Sequence, residues 1–81
     1  MSKYLITLAP MSKQDVESAC GAVIKASAGT GLKLERAYID AIDNRPICIW
    51  SAPDKASVET LFAGANVRTQ SIREVIEYHG S

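Results

Sequence analysis

Apolar side chains recur at helical spacing in two separate stretches of this chain, first Val16, Cys20, Val23 and Ile24, then Val58, Leu61, Phe62 and Ala65. Short strand-like runs stand before, between and after them. The first run, KYLITLA at residues 3–9, is rich in strand-forming types and stops at Pro10, which cannot donate to a ladder. Ser12 follows as a hydroxyl N-cap with Asp15 behind it, so the first helix is expected to run from there to Ala28, where Gly29-Thr30-Gly31 ends it. Residues 32–42 make a second expected strand, Asp43-Asn44 a two-residue turn, and residues 46–51 (PICIWS) a third strand. Pro53-Asp54 stops that hairpin and opens the second helix, with Gly64 and Asn66 as terminators. The last expected strand covers residues 71–79, and Gly80-Ser81 is tail.

The order β-α-β-β-α-β is the split β-α-β arrangement, so the expected fold is α+β and ferredoxin-like, a four-stranded antiparallel sheet with both helices on one face. The 81 residues are expected to form one domain, residues 1–81. A domain of this size buries only roughly 60–65% of its unfolded surface, which makes association of two copies a reasonable way to gain more. Nine basic side chains balance nine acidic ones. That balance leaves no electrostatic footprint for phosphates or anionic lipid, so nucleic acid and membrane are not the expected partners. The opening MSKYLITLAPM has no small-residue cleavage pattern behind its apolar run, and the expectation is a cytoplasmic protein.

Several motifs that would carry chemistry are missing or incomplete. The glycines at 29 and 31 follow a helix and lead to a strand, the reverse of a phosphate-binding loop. Cys20 and Cys48 belong to no C-x-x-C, and at apolar positions they read as reduced core residues. His79 is the only histidine, near the end of the chain, with little around it to support a metal or a proton transfer. The third strand lacks the glycine-and-aromatic signature of an RNA-recognition domain. An amino-acid-sensing regulatory domain has a similar order of elements and stays open as a reading, although such domains usually accompany an enzyme.

The helix-free side of the sheet is then the informative surface. With a two-residue turn, Ile39 stands opposite Cys48 and Ala37 opposite Trp50, an apolar side that suits the helices and places Cys48 in the core. The opposite side carries Arg36, Tyr38 and Asp40 beside Ile47 and Ile49. Glu74 joins them if the side of the last strand bearing Ile72, Ile76 and Tyr78 turns the same way. A mixed apolar and polar concavity is what a small-molecule pocket looks like, so Arg36, Tyr38, Asp40 and Glu74 are the candidate ligand residues. The plainer reading of Arg36 and Asp40 is a solvated strand edge or a charge pair across a dimer, each worth about 0–1 kcal/mol if exposed.

Tyr38-Ile39, then Cys48, Trp50 and Ala52-Pro53-Asp54, and finally Ile72 with Glu74-Val75 carry a resemblance over about half of the chain. In these pieces it resembles a family of small bacterial ferredoxin-like proteins named as nickel-binding and otherwise known as a domain of unknown function. The turn between strands two and three is about two residues longer here. The resemblance implies a homodimer of the dimeric α/β-barrel kind and, in some members, nickel held by histidines on strand two and helix two. At those positions this chain has Arg36 and Leu61, and neither offers a metal a donor atom: an arginine stays protonated and a leucine has none. The metal and any cofactor are therefore left unassigned.

Two readings of function compete. The first is a non-enzymatic dimeric binding module, holding a small molecule or metal ion at the helix-free sheet face. The second is a small cofactor-free enzyme of the dimeric α/β-barrel type, monooxygenase-like or isomerase-like, whose acid or base would have to come from Asp40, Glu74 or His79, which form no recognisable set.

Overall fold

The computed structural model of the chain describes residues 1–80, and Ser81, the end of the expected tail, lies outside the described residues. The elements run β1 (Ser2–Thr7), α1 (Lys13–Ala26), β2 (Lys33–Ile39), β3 (Pro46–Ala52), α2 (Lys55–Gly64) and β4 (Ser71–Val75). The strands form one antiparallel sheet in the order β2-β3-β1-β4, the ferredoxin-like arrangement. No helix among the described residues is long and apolar enough to cross a membrane.

Both helices start where a side chain can satisfy their free N–H groups. The Ser12 hydroxyl accepts from the Asp15 N–H at 3.1 Å. The Asp54 carboxylate accepts from both the Ser57 N–H at 2.8 Å and the Ser57 hydroxyl at 2.7 Å. After α1 the Thr30 hydroxyl donates to the Ser27 carbonyl and accepts from the Leu32 N–H, while Gly29 and Gly31 take φ of +79° and +82°. A side chain there would be strained, so the two glycines serve the turn.

The core lies between the helices and one side of the sheet. Tyr4 and Ile6 of β1 stand opposite Trp50 and Cys48 of β3, and all four are buried together with Leu8, Val23, Val58, Leu61 and Phe62. The Trp50 and Phe62 rings meet edge to face, 6.1 Å apart at 79°. Cys48 is in the core, as its apolar position predicts.

Three features of the strands differ from expectation in ways that bear on the site, each for a local reason. The β2–β3 hairpin closes with a longer turn: the Asp40 N–H donates to the Arg45 carbonyl, the Asn44 N–H donates to the Asp40 carbonyl, and Asn44 has φ of +58°. The Asp40 carboxylate causes this by accepting from the Ile42 and Asp43 N–H groups at 2.8 and 3.3 Å, which wraps the chain before a two-residue turn can form. The register is thus Ile39 opposite Pro46 and Ala37 opposite Cys48, two residues from the expected pairing, and an even shift leaves those side chains on their expected faces. A bulge between Leu34 and Arg36 also adds one residue to β2, so that Leu34 faces the helices although it shares parity with Arg36. Finally, β4 stops at Val75 instead of 79, because Val75 pairs with Lys3 and β1 has almost no chain left to pair with.

Removing the Phe62 ring should cost about 3–5 kcal/mol in urea unfolding of Phe62→Ala, against about 0.5–1.5 kcal/mol for Ile6→Val. A smaller loss for the former would mean that the aromatic contact does not hold α2 to the sheet. Asp54 and Asp40 both have carboxyl groups held below the usual range, Asp54 by the Ser57 hydroxyl and N–H and Asp40 by the Ile42 and Asp43 N–H groups. Depressed folded-state values add stability that is fully present above the unfolded value near 3.8 and is lost as pH falls through the folded one. Stability should therefore drop on acidification below about pH 4, and Asp54→Asn should flatten that loss by lowering stability above about pH 5 while changing little in strong acid, where the wild-type carboxyl is itself protonated.

Candidate functional site

On the helix-free face the strand register sets side chains in cross-sheet rows. One row runs Arg36, Ile49, Leu5, Arg73 from edge to edge, and the next runs Tyr38, Ile47, Thr7, Ser71. A third row, at the far end of β1, holds Lys33, Ser51, Lys3 and Val75. The bulge brings Glu35 to this third row, where it accepts from the Ser51 hydroxyl at 2.8 Å and lies 3.9 Å from the Lys3 ammonium. Lys3 also meets Glu77 at 3.2 Å, and His79 stands 3.7 Å from the same carboxylate oxygen. The Ser51 hydrogen bond, and after it the Lys3 charge, hold the Glu35 carboxyl below its usual value. The face is therefore an apolar centre of Leu5, Ile47 and Ile49 with arginines at both edges and a lysine–glutamate cluster at one end.

Of the four candidate ligand residues, Arg36 and Tyr38 stand on this face, and Tyr38 is 52% exposed. The other two do not join them. Asp40 lies beyond the end of β2 with its carboxylate engaged in the hairpin turn. Glu74 pairs with Tyr4, and Ile72 with Ile6, which puts that side of β4 toward the helices. Glu74 therefore does not face the helix-free side. Lys3, Glu35, Ser51 and Glu77, which sequence reasoning missed, form the only ion-paired cluster on the face among the described residues. Alternation alone would have put Glu35 on the helix side, and only the bulge turns it over.

The positions that the family resemblance assigns to nickel ligands do not share a site within one chain. Arg36 is on the helix-free face, whereas Leu61 packs in the core at 6% exposure on the other side of the sheet. Among the described residues no three His, Cys, Asp or Glu side chains gather as a metal would need. The residues present do not fit a nickel centre.

A second concavity lies on the helix side, where α1 stands away from the free edge of β2. It is a cleft of about 220 Å³ floored by the buried Leu8, Val23, Cys48, Trp50 and Phe62. Small side chains on both walls, Ala19 and Cys20 from α1 and Ala37 from β2, leave the space unfilled. Ile24, Ile39 and Tyr38, each about half exposed, and Glu17 stand at its rim. Both thiols line the cleft. Burial raises the Cys20 thiol above its usual value and pushes Cys48 up to about 11, the latter offset in part by a hydrogen bond from Trp50. Neither is a thiolate at neutral pH, so neither is an activated nucleophile.

Iodoacetamide at pH 7.5 should accordingly modify Cys20 more slowly than an unstructured cysteine peptide and leave Cys48 untouched until urea unfolds the chain. Mass spectrometry of the alkylated protein would read this, and rapid labelling of Cys48 in the folded state would contradict its burial.

No family model matches the chain, and no curated protein resembles it at a significant level. Among solved structures, the crystal structure of SCO4226 from Streptomyces coelicolor A3(2) superposes with a TM-score of 0.80 at 15% sequence identity, over 96% of this chain and 100% of that one. A likeness at that identity establishes the fold that the two chains share.

Proposed function

We propose that this chain is a non-catalytic binding protein that works as a homodimer, with the helix-free sheet faces of two copies apposed and a small ligand held between them. The single observation that carries the reading is the composition of that face. Leu5, Ile47 and Ile49 make a central apolar patch. Its borders are self-complementary in charge: among the described residues Arg36 and Arg73 have no carboxylate partner within the chain, while Glu35 and Glu77 stand at the end of the same face. A two-fold axis brings the same patch of each copy against the other, so unpaired arginines of one copy can meet carboxylates of the second. Arg36 and Tyr38, at the β2 border, line the space between the copies and are the residues placed to orient a ligand there.

The enzymatic reading has less support. A general acid or base works best with a pKa near neutrality, and the Asp40 carboxyl is displaced in the opposite direction by the turn it closes. Glu74 and His79 lie on different sides of the sheet's plane from one another, His79 being tied to Glu77 beside Lys3.

Ile49→Lys places an uncompensated ammonium at the centre of the patch and should convert a dimer to a monomer in native mass spectrometry. Ile42→Lys, at the 95%-exposed tip of the hairpin and away from the face, should leave the dimer intact. A wild-type protein that is monomeric at tens of micromolar, or an Ile49→Lys variant of unchanged mass, would refute the paired-face reading.

A further inference from the structure

We propose that the cleft between α1 and the β2–β3 hairpin is a second binding site, one per copy, for a small neutral apolar molecule of about one or two rings. This goes beyond the paired-face reading and does not depend on it, since the cleft is floored by the opposite side of the sheet and shares only Tyr38 and Ile47, at the β2–β3 edge, with the paired face.

Size and chemistry define the occupant. An apolar cavity of roughly 150 Å³ takes a benzene-sized molecule, so by proportion about 220 Å³ takes roughly eight to ten carbon atoms. The floor is aromatic and aliphatic, and the interior polar groups are two protonated thiols and the Trp50 indole. A stable cluster of waters needs two to four polar partners for each molecule, which this lining does not provide, whereas a hydrocarbon gains contacts on every side. Charge is selected against. No cationic side chain lines the cleft, and the Glu17 carboxylate at the rim repels an anion that would in any case have to shed its hydration to enter.

No described segment of the chain supplies the occupant. The C-terminal segment carries the exposed Ile76 and Tyr78, but it is held on the other side of the sheet by the 3.2 Å contact between Glu77 and Lys3. The way in from solvent lies beside Ile24 and Ile39, two large apolar side chains of the lining that are each about half exposed.

Trp50 is the only tryptophan in the chain and forms part of the cleft floor, so its indole N–H resonance reports occupancy without ambiguity. Titration of the ¹⁵N-labelled protein with p-xylene should shift that resonance saturably and slow iodoacetamide labelling of Cys20. The 4-methylbenzoate anion, of nearly the same shape, should bind at least tenfold more weakly. Ala37→Phe, which fills the cleft from an exposed edge strand, should abolish the shift while leaving the circular dichroism spectrum and urea midpoint close to wild type. Ile49→Lys should bind p-xylene as the wild type does, even as a monomer. An unmoved Trp50 resonance at the solubility limit of p-xylene, equal binding of the anion, undiminished binding by a folded Ala37→Phe, or loss of binding in Ile49→Lys would each overturn the assignment; the last would move the site to the dimer interface.

Discussion

The pairing of β1 with β3 is the constraint from which the rest of this structure follows. These two strands occupy the centre of the sheet, and their register sets Tyr4 against Trp50 and Ile6 against Cys48 on one side, Leu5 against Ile49 and Thr7 against Ile47 on the other. A side-chain period of two means that a slip of one residue would exchange the two sets completely. The helices therefore recognise one side only, the one with the indole. Phe62 meets Trp50 edge to face, and Val58 and Leu61 close over the same row, so α2 is located by the largest side chain of β3. Everything at the periphery, including the hairpin, the bulge and the C-terminal segment, is arranged around a centre already decided.

How much of this is legible in the sequence depends on whether a signal is periodic or singular. The six elements, their order and the Ser12 N-cap are legible because helical recurrence, strand runs and punctuating residues such as Ser12 and Pro53-Asp54 act over a few positions with a direct physical cause. Cys48 in the core is legible for the same reason. The hairpin register is not: Asp43-Asn44 has the composition of a tight turn, but Asp40 three residues earlier captures two N–H groups and lengthens the loop. Competition between a short turn and a side-chain cap is settled by small energies that composition does not rank. The bulge at Glu35 is hidden in the same way, since nothing but pairing with β3 shows that one residue of β2 is extra.

Those two local events, together with the register of β4 on β1, account for where the structure puts the candidate residues. Arg36, Tyr38, Asp40 and Glu74 were grouped by parity along their strands, and parity holds only while a strand remains a strand. Asp40 leaves the sheet to close the turn, and Glu74 follows Ile72 to the helix side through the register of β1 with β4. Glu35 enters from the bulge and, with Lys3, Ser51 and Glu77, forms the polar cluster that the four were expected to form. The helix-free face is thus chemically mixed, as expected, with Arg36 in place and with Lys3, Glu35 and Glu77 supplying charge where Asp40 and Glu74 do not.

The cleft on the other side has a simple geometric origin. Two helices must cover four strands, and here the buried faces of α1 and α2 converge on β1 and β3, where the large side chains are. β2 is left at the sheet edge with Leu34, Ala37 and Ile39 turned toward helices that do not reach them fully. A longer side chain at position 37 or 20 would fill the gap and add the contact free energy that close packing ordinarily secures. Alanine and cysteine at these places instead leave a lined, accessible volume at a cost in stability, in a domain of 81 residues with little stability to spare. Packing alone gives no reason to retain that space, whereas a ligand that completes the core when it binds does, because its burial then adds to the same set of contacts that holds α1 to the sheet.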